Sequence, residues 1–180
     1  FIAADFLSQA EHGVDSQAML VTASESIVEP VMQAIREQLD RLPRKEITEK
    51  SLSHSRLIVL KDKQEVIDFT NLYAPEHLII QTTDYADIAG QVENAGSVFM
   101  GPYTPESAGD YASGTNHTLP TNGYAKAYSG VNLDSFIKKI TFQEITADGI
   151  RLLGGTIWTM AANEQLDAHK NAVTIRLNTL

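Results

Sequence analysis

The residues of this chain best suited to chemistry are its five histidines, at positions 12, 54, 77, 117 and 169, with the acids and amides that stand near them. The default reading of a histidine is a surface or satisfied core residue. His54 keeps that reading, because SLSHS is a polar run with no carboxylate beside it. The others have more telling neighbours. Gln9 and His12 are spaced i, i+3, so on a helix they share one face and can meet at one atom. In APEHLII, Glu76 and His77 directly precede an apolar strand, a carboxylate beside an imidazole whose pKa values an environment can push apart for acid–base work. An exposed turn accounts for the same pair, since ligands of open α/β sheets gather at the carboxyl ends of strands.

Asp110 and His117 belong to ESAGDYASGTNHTLPTNG, residues 106–123, which has no sustained apolar period and is expected to be a loop. A loop of that length within a compact domain is either disordered or functional. It follows the strand SVFM, the expected position for a site in a parallel α/β body. His169, in LDAHKNAV near the end of the chain, reads by default as a helical surface residue. Taken together these positions supply two or more imidazoles, a carboxylate and an amide, an oxygen/nitrogen set that suits Zn²⁺. Spacing alone does not bring them to one point.

The elements that must position them alternate. Helical patterns are expected at 1–12, 24–42, 45–55, 63–73 and 84–96, the last capped by Asp84, with Val/Ile/Leu-rich strands at 18–22, 56–60, 77–82 and 97–100. Pro30 interrupts the second helix, which starts or kinks there. Such alternation predicts an α/β body, a three-layer αβα, Rossmann-like arrangement with a mostly parallel sheet. It spans residues 1–127, and residues 128–180 form a largely helical tail. No G-x-G-x-x-G follows a strand, and no P-loop or G-x-S-x-G elbow is present.

Composition narrows the function classes. Hydrophobic residues make up 43% and charged residues 21% of the chain, enough to build a core. A net charge of −9 argues against nucleic-acid and anionic-lipid partners, which call for a basic stripe. With no cysteine there is no disulfide framework and no thiolate metal site. No apolar run approaches membrane-spanning length. The chain opens in mid-pattern, FIAADFLSQAEHG, without Met, and is expected to be part of something longer.

The segment GPYTPESAGDYASGTNHTLPTNGYAKAYSG resembles the signature segment of the histidinol dehydrogenase family. SQAEHGVDSQAMLVT, YAPEHLIIQT, NAGSVFMGPYTPES and LDAHKNAVTIRLN are similar to the same family, in its order. The resemblance implies a cytoplasmic homodimeric enzyme that oxidises L-histidinol to L-histidine through the aldehyde level, with zinc and two NAD⁺ in succession. It implies that Gln9, His12, Asp110 and His169 ligate zinc, and that His169 is delivered by the partner subunit. It makes Glu76 and His77 the acid–base pair. His77 would take the alcohol proton and Glu76 would activate the hydrating water. His117 and Glu164 join the zinc ligands and His77 as substrate contacts. Family members extend further on the N-terminal side, where NAD is bound, so this chain is expected to be the C-terminal catalytic and dimerising portion and a poor dehydrogenase alone. Two other readings remain: an inactive zinc-binding fragment, and a related dehydrogenase acting on another amino alcohol or a sulfonate diol.

Overall fold

The structure, a computed structural model, describes residues 1–180. The chain divides into two compact units, Phe1–Ile137 and Lys138–Leu180.

In the first unit, helix α1 (Ile2–Ala10) leads to strand β1 (Met19–Thr22). Helices α2 (Val28–Leu39) and α3 (Lys45–His54) follow, then β2 (Arg56–Val59). The alternation continues with α4 (Lys63–Tyr73), β3 (His77–Ile80), α5 (Tyr85–Ala89), β4 (Ser97–Met100) and α6 (Glu106–Tyr111). Pro30 neither starts nor breaks α2. It sits in the first turn, where a backbone N–H would have no intrahelical partner in any case.

The chain is α/β and its strands are parallel, as the alternation predicts. They pair two by two. β1 aligns with β2, Met19 opposite Arg56, and β3 aligns with β4, His77 opposite Ser97. The two ladders are separate two-stranded sheets and do not share hydrogen bonds. α5 is shorter than the pattern suggested; Asp84 is its N-cap residue, but its side chain makes no capping hydrogen bond. Its carboxylate instead accepts from Lys63 Nζ at 3.0 Å, alongside Asp87 at 2.8 Å. That clip fastens the start of α4 to α5.

The main core joins α1 to α2. Ala3 and Leu7 pack on Val31 and Ile35, with Phe6, Leu20, Ile27 and Leu52 around them. Burying side chains of this size contributes about 1.5–3 kcal/mol each, which is what fixes α1 in place.

The second unit is a helical hairpin, α7 (Ala147–Asn163) and α8 (Asp167–Asn178). Thr146 Oγ1 accepts from the Gly149 N–H at 3.1 Å and caps α7, and Gln165 turns the chain in the left-handed region at φ 61°. Lys170 Nζ lies 4.5 Å from the centre of the Trp158 ring, tying the two helices across one face. No helix of the chain is long and apolar enough to cross a membrane.

Candidate metal centre and acid–base site

α1 has two faces. Ala3, Leu7 and Ala10, at i, i+4 and i+7, are buried. That leaves Asp5 and Gln9 on the other side, where Asp5 accepts a hydrogen bond from Gln81 Nε2 just past β3. The helix stops at Ala10, so His12 stands beyond it. Glu11 remains in helical conformation and the His12 N–H still points back to Gln9 O at 3.5 Å. A turn therefore keeps the two residues together, although they are not on one helix face. Arg44 Nη2 donates to His12 O at 3.3 Å and holds that turn.

His77 is placed by the chain's exit from α4. Ala74 closes that helix in the left-handed conformation, φ 55°, and Pro75 and Glu76 lead straight into β3. The entry is clamped from β4: the Gly96 N–H donates to Pro75 O and the Ser97 N–H to Glu76 O, both at 2.9 Å. A Cβ on Gly96 would sit 2.5 Å from Glu76 O, so the approach needs glycine.

Residues 106–111, expected within a loop, form the helix α6. Six residues are too few to show an apolar period, which is why the pattern did not reveal it. Glu106 in the first turn suits the positive end of the helix, and Gly109 lies against the Phe99 ring of β4, where a Cβ would come within 2.7 Å. This contact turns Glu106 and Asp110, at i and i+4, toward α1 and His77.

The result is a compact polar group. Ligand atoms of His12, Glu106 and Asp110 all lie within 4.8 Å of one another. Glu106 is only 2% exposed, and its Oε1 is 3.7 Å from His77 Nε2. A cavity of about 220 Å³ opens over them, lined by Ser8, His12, Arg44, Glu106, Asp110 and Tyr111. Gln9 Nε2 and Glu106 Oε1 are the buried side-chain atoms without a hydrogen-bond partner.

Electrostatics follows from the crowding. Burial pushes the Glu106 carboxyl up to about 7, and neighbouring Asp110 adds to the rise, while the amide of Gln9 works against it. Burial also holds the His77 imidazole below its ordinary value, opposed by the charges of Glu76 and Asp110 and aided by His12. Two carboxylates and an imidazole around one small cavity, with the Gln9 amide beside Glu106, are the donors a divalent cation takes up, and they fit zinc's preference for nitrogen and oxygen.

The structure thus brings together Gln9, His12, Glu76, His77 and Asp110 from three separate elements. They gather beside the amino-terminal residue of β3, not at the carboxyl ends of the strands. His117 is exposed, beyond α6, and does not line the cavity. Glu164 and His169 are exposed residues of the second unit, at the end of α7 and on α8. Glu106 was not singled out from the sequence. Its signal was there, an acid four residues before Asp110 and directly after a proline, but it is read only once 106–111 is known to be helical.

A sequence profile described as histidinol dehydrogenase matches residues 1–177. Histidinol dehydrogenase of Bacteroides thetaiotaomicron is 67% identical over 180 residues, which are 100% of this chain and 42% of that protein. The chloroplastic histidinol dehydrogenase of Arabidopsis thaliana is 56% identical over 181 residues, 100% of this chain and 39% of that protein. The crystal structure of histidinol dehydrogenase from Elizabethkingia anophelis superposes with a TM-score of 0.92 at 55% identity, covering 99% of this chain and 41% of that one. The chain thus spans about two fifths of the length of the curated relatives it matches. With the profile running through α1, β3, α6 and α8 alike, this chain belongs to the histidinol dehydrogenase family.

Proposed function

We propose that the chain supplies the metal-holding and acid–base part of an enzyme that oxidises L-histidinol to L-histidine, a step of histidine biosynthesis, with NAD⁺ as oxidant. The observation that carries this reading is the group of His12, Glu106 and Asp110 ligand atoms within 4.8 Å, set beside a half-buried His77. Family membership supports the substrate class.

Gln9, His12 and Asp110 would hold zinc, with His169 delivered from the tail of a second copy of the chain. Zinc would orient the amine and imidazole of the substrate and, having no redox chemistry of its own, leaves the electrons to another group. NAD⁺ would be the hydride acceptor, bound mainly by residues outside the 180 described.

His77 Nε2 takes the hydroxyl proton as hydride leaves the adjacent carbon. Burial lowers the imidazole pKa below 6.5, so at neutral pH the ring is uncharged and free to accept that proton. Glu76 would take a proton from the water that adds to the aldehyde, and His77 would take the hydroxyl proton of the hydrate while its hydride goes to a second NAD⁺. His117 and Glu164 contact the substrate. Holding reactants in this geometry contributes several kcal/mol to the barrier reduction. The same reading takes the two parallel ladders as parts of one three-layer, Rossmann-like body, with the helical hairpin as a dimerising tail.

Zinc content and turnover of the full-length protein test it together. His12→Ala is expected to lose zinc and turnover. His77→Asn is expected to keep zinc and lose turnover by about 10²–10⁴-fold. Full turnover in His77→Asn, or unchanged zinc in His12→Ala, would sink the assignment.

A further inference from the structure

We propose that Glu106 is a positioning residue for the metal site: it holds the side-chain NH₂ of Gln9, so that Gln9 presents its oxygen to the metal. The inference rests on the reading that Gln9, His12 and Asp110 hold zinc, and adds to it a residue to which no role was assigned from the sequence.

The need arises from the chemistry of an amide. Its two ends have nearly the same size and shape, but only the oxygen has lone pairs to give a cation, while the nitrogen brings two protons. A glutamine ligand that flips presents the wrong end. Something must therefore take hold of the nitrogen, and it must be an acceptor.

The structure leaves one donor and one acceptor to be joined. Gln9 Nε2 and Glu106 Oε1 are both buried and both without a hydrogen-bond partner, and they are the buried side-chain atoms in that condition. One can only donate and the other, when ionised, can only accept. They are neighbours: the Gln9 amide is close enough to stabilise the Glu106 carboxylate. Leaving both orphaned costs the desolvation of each, whereas a rotation about the Gln9 side chain satisfies both at once. That same rotation turns Gln9 Oε1 away from Glu106. Metal sites commonly fix their ligands through such outer acceptors.

Two other roles for Glu106 are close enough to require separation. Its carboxylate belongs to the group with His12 and Asp110, so it is near enough to be a ligand itself. Its Oε1 is 3.7 Å from His77 Nε2, beyond hydrogen-bond reach but near enough to orient that ring. A ligand role acts on zinc independently of Gln9. A role on His77 acts on turnover and not on zinc.

A double-mutant cycle on zinc affinity distinguishes all three, measured by chelator competition in the full-length protein carrying Gln9→Ala, Glu106→Ala or both. Glu106→Ala alone is expected to weaken zinc binding by about 10–100-fold. In the Gln9→Ala background the same change is expected to cost less than about threefold, because no amide remains to be held. Equal losses in both backgrounds would overturn the inference, as would no loss in either. Lost turnover with unchanged zinc affinity would overturn it in favour of His77. If Glu106→Ala does not fold, Glu106→Gln runs the same cycle, with a smaller loss that again disappears when Gln9 is alanine. Full zinc affinity in both Gln9→Ala and His12→Ala would instead remove the underlying ligand assignment, a result distinguishable from failure of the positioning role alone.

Discussion

The two units of the chain differ in how much of their helices they bury: α1 and α2 pack a core, whereas the hairpin buries few residues. In the first, Leu7 and Ile35 are 3% and 6% exposed, and the polar side of α1 is free to face a site. In the hairpin, only Gly154, Ala161 and Val173 are buried, while Leu152, Met160 and Ile175 are 82%, 59% and 55% exposed. The first unit anchors α1 by a core on one face and leaves the other face to the polar group. In the hairpin Gly154 lies against Leu177, and the large side chains of Leu152, Met160 and Ile175 are exposed. Exposed apolar side chains of this kind are what a dimerising tail would cover in the proposed enzyme. In that enzyme, catalytic geometry, which needs rigid packing, would lie where the core is complete, and assembly would use what the hairpin leaves exposed.

The largest effect that would test this contrast is in the α1 core. Leu7→Ala removes a buried side chain between α1 and α2 and is expected to cost about 2–5 kcal/mol in denaturant unfolding, with zinc and turnover falling as α1 loosens. A loss below about 1 kcal/mol would mean that α1 is not anchored by that core. Gly96→Ala comes next. Its new Cβ meets Glu76 O at 2.5 Å, so the β3 entry must shift, and an overpacking cost of about 1–3 kcal/mol is expected. Turnover is expected to fall further than stability alone explains, since Glu76 and His77 move together. Wild-type turnover in a folded Gly96→Ala protein would detach the β3 entry from the chemistry.

How much of this was legible in the sequence divides along the same line. α4 and the four strands were readable to within a residue or two at each end, and α2 to within four, because burial of one face writes a pattern into the chain. Gln9, His12, Glu76, His77 and Asp110 were readable as residues of a chemical type. Their meeting was not, because it depends on long-range contacts: Gly109 on Phe99, Gly96 on Glu76, and Asp5 on Gln81. α6 was hidden for a different reason. Its helix is one and a half turns long and is set by tertiary packing, so Glu106 stayed invisible beside Asp110. The strands' pairing into two ladders is likewise a matter of non-local register, which no strand's own residues encode.

Third in size is a pH effect confined to the site. The Glu106 carboxyl moves from an ordinary 4.5 to about 7 in the folded chain. Below 4.5 folded and unfolded forms both carry the proton and nothing is lost. Between 4.5 and about 7 the unfolded chain ionises first, so metal-free protein loses stability as pH rises, and above that the full cost is present. Glu106→Gln is expected to remove this slope, making the metal-free variant more stable than wild type at pH above 7 by an amount on the order of 1–3 kcal/mol. His77, held below 6.5, contributes a slope of the opposite sign on acidification, so the difference between variant and wild type is the quantity to follow. Parallel stability profiles in the two proteins would show that Glu106 is not desolvated at a cost.

The smallest effect is expected in the hairpin, and its dependence on concentration matters more than its size. Leu152 is 82% exposed, so in dilute monomer Leu152→Ala should change stability by no more than about 0.5 kcal/mol. If a second copy covers this face, the substitution acts on association instead. The wild-type melting temperature then rises with protein concentration by mass action, and the variant's rises less. Light scattering would show its dimer dissociating at higher concentration than wild type. Leu7→Ala, by contrast, lowers the melting temperature equally at every concentration, because its partners are in the same unit. A concentration-independent loss at Leu152 as large as that at Leu7 would mean the hairpin buries its apolar face within its own chain, and the division between a self-sufficient core and an assembling tail would fall.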